Sequence, residues 1–317
     1  MITMKNIAEA ANVSRTTVSF VLSGRCEKDQ KISPQVVKKV RETAEKLGYI
    51  PNDYVQGLVK GKSRVLGIIS SFPDFIMPIV RGYSDEAARH GYSLRLIPLE
   101  SDDLSKALMT ALRSRLEGVS LLGVTDEMCK GIDWDFFDSK LTISRSRKDG
   151  EKESDIFDQR LAAMLAVEHL VEKGYKKIFC ITTPAKNLQL RKEGYLQVMK
   201  KYALPDHVFS YEGNEDFYKK IIEAVPEAVF CASDYIAAQL LQEMNRKKLF
   251  CPEAFAVAGF GNTTISRFTS PPLTTVEEPY YESAILGCRK LIHKVHTGKD
   301  LTFEKLTGKL IVRESTL

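Results

Sequence analysis

Near the N-terminus the chain reads Ser14-Arg15-Thr16-Thr17-Val18-Ser19-Phe20. A guanidinium with hydroxyls on either side suits hydrogen bonding to phosphate oxygens and base edges, provided a helix presents that face to solvent. The apolar spacing supplies such a helix. Ile7, Ala8 and Ala11 recur at helical intervals, and after a short turn Val18, Val21 and Leu22 repeat the pattern. Asn12 falls where the chain must turn sharply, and asparagine tolerates the left-handed backbone this requires. Ser14 is placed to cap the second helix, Gly24 to end it, and Thr3 to cap the first. The pattern is a helix-turn-helix.

A third helix follows, with Ser33 as cap, Pro34 at its first position, Val36, Val37, Val40, Ala44 and Leu47 on one face, and Gly48 as its stop. Eleven Lys and Arg against six Asp and Glu precede Arg64, and the rest of the chain balances to zero, so the whole net charge of +5 lies in the N-terminal segment up to Ser63. A basic excess on a helix-turn-helix favours a phosphate-binding face over a merely solvated surface. The stretch 24–31 reads as an exposed charged loop. At 51–63, Pro51 and Asn52 can start a short helix and Gly61 can end it, which makes this segment the hinge and linker.

From Arg64 onward the pattern changes to short apolar runs alternating with amphipathic helices, beginning with Val65-Leu66-Gly67-Ile68-Ile69. Such alternation argues parallel sheets with right-handed crossovers. Strands are expected at 93–97, 118–122, 141–143, 177–182, 228–231 and 254–258, and helices at 76–90, 158–173, 188–202 and 234–247. The fold class is an all-α head on an α/β two-lobed core. The head is placed at 1–50, the first lobe at 64–155 plus 279–305, and the second at 156–278 plus 306–317.

At 317 residues two or three domains are expected. No apolar run approaches the roughly 20 residues of a membrane helix, and no export signal opens the chain, so a soluble cytoplasmic protein is expected. The six cysteines are scattered without a Cys-x-x-Cys pair and read as reduced, mostly buried thiols. His293 and His296 have metal-ligand spacing on an expected helix but no third ligand nearby in sequence, so no metal and no cofactor are expected.

The ordered set of motifs resembles the lactose-repressor/galactose-repressor (LacI/GalR) family over essentially the full length. It comprises Val13-Ser14-Arg15-Thr16-Thr17-Val18-Ser19, Leu47-Gly48-Tyr49-Ile50-Pro51-Asn52, Val167-Glu168-His169-Leu170 through Gly174-Tyr175-Lys176-Lys177-Ile178, Pro271-Pro272-Leu273-Thr274-Thr275-Val276 and Val312-Arg313-Glu314-Ser315. The resemblance implies a homodimer whose heads bind a near-palindromic double-stranded DNA operator under control of a small metabolite held between the core lobes. It assigns DNA contact to Ser14, Arg15, Thr16, Thr17, Ser19, Phe20, Asn52 and Leu58. Arg15 and Thr16 are the base readers, Thr17 is a phosphate contact, and Leu58 is a minor-groove wedge, with ordinary packing as its competing reading. Phe20 stands where the family has Arg, and Val55-Gln56 where it has Ala-Arg, so operator sequence does not carry over.

In the core the resemblance assigns effector contact to Arg191, within Arg-x-x-Gly-Tyr, and to Ser233, Phe75, Arg145 and Asp158. Gly261 stands where the family has Asp. With Arg145 and Arg191, that missing acid suggests an anionic effector such as a phosphorylated sugar or sugar acid, rather than a plain sugar. The helices near 77–88 and 280–293 are candidate dimer elements, and an end without leucine heptads favours a dimer over a tetramer.

Two rivals remain. An enzyme finds no support: Gly57-x-x-x-Gly61-Lys62-Ser63 is one residue short of a phosphate loop, Gly259-Phe260-Gly261 lacks a third glycine, and no Gly-x-Ser-x-Gly elbow occurs. A two-lobed solute receptor lacks a reason for the basic head. DNA binding independent of any effector is a further alternative.

Overall fold

The computed structural model describes residues 2–23, 32–50, 62–71, 76–125, 127–144, 156–211 and 216–317, without the side chains of residues 186 and 187. It divides into two compact units, Met1–Arg64 and Val65–Leu317.

The head packs α1 (Met4–Ala11), α2 (Arg15–Leu22) and α3 (Pro34–Lys46) around Ile7, Ala11, Val18, Val21 and Val40, all essentially buried. Each helix has a sequence-encoded start. Thr3 Oγ1 accepts from Asn6 N while Asn6 Oδ1 accepts from Thr3 N, and Ser33 Oγ accepts from Val36 N. Asn12 turns the chain at φ 54°, ψ 53°, and Gly48 ends α3 at φ 65°.

The core unit carries two sheets. The first has order β2-β1-β3-β4, all parallel, from β1 (Val65–Ser70), β2 (Ser93–Pro98), β3 (Gly118–Leu121) and β4 (Thr142–Ser144). Its helices are α4 (Met77–Arg89), α5 (Leu104–Arg113) and the short α6 (Trp134–Asp138). Helix α5 was not among the expected elements, although Leu104, Ala107, Leu108 and Ala111 line its buried face and Asp103 caps it.

The second sheet has order β10-β9-β8-β7-β5-β6, from β5 (Ile178–Thr182), β6 (Val208–Ser210), β7 (Ala228–Cys231), β8 (Ala256–Gly261), β9 (Thr274–Glu277) and β10 (Lys309–Ile311). All its pairs are parallel except β10 with β9. That antiparallel edge strand was not anticipated, and β8 starts later and runs further than 254–258. Helices α7 (Gln159–Glu172), α8 (Lys186–Lys201), α9 (Asp216–Glu223) and α10 (Asp234–Arg246) flank the sheet.

Helix α11 (Tyr280–Thr297) returns to the first sheet and packs on α4. Two glycines allow the close approach. A Cβ at Gly82 would stand 2.5 Å from Tyr281 O, and one at Gly287 would stand 2.6 Å from Tyr83 Oη. Across this seam Arg289 Nε donates to Glu86 Oε1 at 2.6 Å, joined on Glu86 by Arg89 and His90. Those partners, led by Arg289, hold the Glu86 carboxyl down at about 2. Where the chain passes between lobes, Phe157 and Leu306 form a parallel bridge and Leu306 N donates to Ile156 O at 2.7 Å.

Candidate functional site

In the head, Ser14 adopts φ −71°, ψ 152° and its Oγ accepts from Thr17 N at 3.0 Å. This cap starts α2 at Arg15, so Arg15 and Thr16 lie on the exposed first turn while Val18 and Val21 face the core. Ser14 Oγ and Thr17 Oγ1 are 2.9 Å apart, so Thr17 takes part in the cap as well. Ser19 and Phe20 are half-buried one turn on. Arg15, Thr16 and Ser14 thus form one solvent-facing edge at a helix N-terminus, where free N–H groups and the helix dipole favour an anion. Asn52 and Leu58, with most of the 51–63 hinge, lie outside the described residues.

In the core, parallel strands of the second sheet end together at Thr182, Cys231, Gly261 and Glu277. Crevices beyond such strand ends are where open α/β sheets bind ligands. Arg191 reaches this edge from α8 and is 4% exposed. Its Nε donates to Gln159 Oε1 at 2.7 Å, Nη1 to Ala232 O at 2.9 Å and Nη2 to Glu278 Oε2 at 2.8 Å. The guanidinium also stacks on Phe260, 3.7 Å from the ring centroid. Three of its five N–H donors are therefore held by the protein itself.

The rest of the Arg-x-x-Gly-Tyr motif is structural. A Cβ at Gly194 would collide with Arg160 O on α7, so this glycine sets how closely α7 and α8 pack. Tyr195 is fully buried, donates to Ile178 O at 2.8 Å and accepts from His207 N at 2.8 Å.

Ser233 is the cap of α10, its Oγ accepting from Tyr235 N at 3.3 Å. Asp158 caps α7, accepting from Arg160 N and Leu161 N at 3.0 Å. Phe75 and Arg145 lie outside the described residues. The structure thus brings Arg191 and Ser233 to one strand-end region, through Ala232 O, and gives Asp158 a local task beside Gln159.

Four further residues belong to the region. Asp234 is fully buried and accepts from Thr263 N at 2.7 Å, Thr263 Oγ1 at 2.9 Å and Thr275 Oγ1 at 2.5 Å. Burial pushes its carboxyl above the ordinary range, opposed by those hydrogen bonds and by Arg191. Asn262 donates to Glu277 Oε1 at 2.9 Å and accepts from Arg313 Nη2 at 2.7 Å. Glu278 also accepts from Gln159 Nε2 at 3.0 Å. Tyr280, next to Glu278, has its phenol raised by burial and by the nearby Glu278 charge. In sequence Asn262, Glu278 and Tyr280 flank Pro271-Pro272-Leu273-Thr274-Thr275-Val276, and Asp234 follows Ser233.

Elsewhere, the described cysteines are free and Cys180, Cys231, Cys251 and Cys288 are buried. Among the described residues no cluster of three or more His, Cys, Asp or Glu could hold a metal, and His296 Nε2 lies 3.0 Å from Tyr92 Oη. No described helix is long and apolar enough to cross a membrane.

Comparison with known proteins adds to this geometry. Residues 3–52 match the bacterial regulatory proteins of the lacI family, and residues 167–316 match the periplasmic binding protein-like domain. The ribose operon repressor of Escherichia coli K12 is 29% identical over 312 residues, covering 93% of each chain. The NTD biosynthesis operon regulator NtdR of Bacillus subtilis 168 is 28% identical over 339 residues, covering 100% of each. Among solved structures, the lac repressor dimer bound to operator and the anti-inducer ONPF superposes with TM-score 0.81 at 21% identity, covering 100% of this chain and 99% of that one. A LacI family regulator from Enterococcus faecium with bound ribose gives TM-score 0.65 at 18% identity, covering 79% and 98%.

Proposed function

The chain belongs to the LacI/GalR family of transcriptional regulators, and from that premise we propose that it is a metabolite-controlled repressor that binds a near-palindromic operator as a homodimer in the cytoplasm. The observation that carries this is the capped first turn of α2. It presents Arg15 and Thr16 to solvent in the N-terminal segment that, with the hinge, holds the chain's basic excess. Arg15 and Thr16 read base edges, with Ser14, Thr17 and Ser19 on phosphates and Phe20 against a thymine methyl. Asn52 and Leu58 serve the hinge contact with the minor groove. The core is a binding module and not a catalyst, with lobes 64–155 plus 279–305 and 156–278 plus 306–317.

The effector is held at the strand ends by Arg191 and Ser233, with Phe75, Arg145 and Asp158 as further contacts. Arg191 already neutralises Glu278, and the buried Asp234 carboxylate also feels its charge. A neutral sugar suits this wall better than a phosphorylated sugar or sugar acid, because an anion would have to compete with Glu278 for the guanidinium. The names of the ribose operon repressor and of the ribose-bound relative support a pentose as the first ligand to try.

The test is selection of duplexes bound by the full chain from a random library. Binding to the selected duplex is then measured with and without D-ribose and ribose 5-phosphate. A two-fold-symmetric consensus whose affinity changes with the neutral sugar supports the reading. Binding without sequence preference overturns it, and a response confined to the phosphorylated sugar reverses the choice of effector.

A further inference from the structure

The parallel strands of the first sheet start together at Val65, Ser93, Gly118 and Thr142. The linker joins the lobe at this end, since Arg64 precedes Val65 in the chain. Three side chains meet here. Tyr92, one residue ahead of β2, is 4% exposed and donates through its hydroxyl to Glu117 Oε2 at 3.0 Å. His296, in the last turn of α11, has Nε2 at 3.0 Å from the same phenol oxygen. The phenol has one proton to give and gives it to Glu117, so the imidazole N–H donates the second bond.

Helix α11 is pressed onto this end of the sheet. A Cβ at Gly118 would stand 2.8 Å from both Leu291 Cδ1 and Val295 Cγ2. Next to Gly118, Glu117 donates its backbone N–H to Val65 O at 3.0 Å. Glu117 thus holds the first core residue after the linker with its main chain, and the last turn of α11, through Tyr92, with its side chain. The helix has 18 residues, about 27 Å, and its start follows closely on β9 of the second sheet. A rigid helix carries a displacement of its start to its end, and here the end is bonded to the root of the linker.

We propose that Tyr92, Glu117 and His296 form a coupling node: positioning residues that tie the end of α11 to Val65 and so fix where the linker leaves the core. Two heads on two linkers reach both half-sites of an operator at once when the roots of the linkers are held. A loosened root lowers the effective concentration of the second head at its half-site. All three residues act through the backbone at Val65, with no contact to DNA required. The proposal rests on the reading of the chain as an operator-binding dimer, and not on where the effector sits.

The test compares the full chain with Tyr92→Phe, His296→Ala and His296→Gln. Tyr218→Phe is the control, since it loses one tyrosine hydroxyl bond, to Gln239 Oε1 at 2.8 Å, in the second lobe. Melting, amide exchange at Glu117 and affinity for the selected duplex across a salt titration are measured without ligand. Tyr92→Phe keeps the ring and loses both bonds, and is expected to speed exchange at Glu117 about tenfold and weaken duplex binding about fivefold. The salt slope is expected to stay that of the parent, because no phosphate contact is removed. His296 is exposed, so its variants fold as the parent does. His296→Ala is expected to weaken duplex binding about twofold, and His296→Gln, whose side-chain amide donates to Tyr92 in place of the imidazole, to bind as the parent does. Tyr218→Phe is expected to lose about as much melting temperature as Tyr92→Phe while keeping the parent's duplex affinity. A Tyr92→Phe protein that binds the duplex as the parent does overturns the proposal. So does an equal loss of affinity in Tyr218→Phe, which would reduce the effect to general stability. If the parent binds no duplex with sequence preference, the operator reading fails instead, and unchanged exchange at Glu117 in Tyr92→Phe and His296→Ala would still show that α11 does not hold the root of the linker.

Discussion

Arg15 in the head and Arg191 in the core are both arginines assigned to binding, and their surroundings are opposite. Arg15 is exposed on the first turn of α2 and has no ion pair with any described residue. Arg191 is buried, stacked on Phe260, and held by Gln159, Ala232 and Glu278. Arg15 is exposed to solvent, so in the proposed contact its binding energy is available to a phosphate or guanine. The core has already used much of its arginine to tie helix α8 to the strand ends. Under the proposed reading, a ligand there meets a preorganised wall rather than a free charge.

The contrast can be broken most sharply at Arg191. Arg191→Ala strands Glu278 and should cost about 3–5 kcal/mol, lowering the core's melting temperature by roughly 10 °C or more. Arg15→Ala should leave melting unchanged. Equal melting for the two variants would mean that the guanidinium of Arg191 is as dispensable to the fold as that of Arg15.

Glu86 sharpens the same contrast between buried and exposed charge. Its folded pKa of about 2 lies below the ordinary 4.5, so its stabilisation, on the order of 3 kcal/mol, is fully present above pH 4.5 and lost as pH falls toward 2. Acid titration of stability should therefore flatten over that window in Glu86→Gln. In the head, Lys5–Glu9 and Lys38–Glu42 are exposed pairs at 3.9 and 4.0 Å, and removing either should leave melting unaltered.

Arg15→Ala should instead weaken binding to the selected duplex by about 10- to 100-fold, equivalent to about 1–3 kcal/mol. A smaller effect is expected at Ser14→Ala, where loss of the cap to Thr17 N should destabilise α2 by about 1 kcal/mol, read as faster amide exchange at its first turn.

The same comparison explains what the chain's pattern made legible. In the head every decisive contact is local: Ser14 to Thr17, Thr3 to Asn6, Asn12 in the left-handed turn. Periodicity and capping rules therefore found the three helices nearly to the residue. The core's alternation revealed its strands and long helices but not the antiparallel β10, which depends on pairing with Val276 across 34 residues. Arg191 was found through its motif, yet its partners Gln159 and Glu278 lie 32 and 87 residues away, and no local pattern announces them.

The central claim is that the basic, outward-facing head binds DNA. Its most direct test is the affinity of the full chain for its selected duplex from 50 to 200 mM salt. Neutralising 6–10 phosphates predicts a linear fall of log affinity with log salt, about 10³–10⁵-fold over that range. An affinity that stays flat across the titration would contradict it.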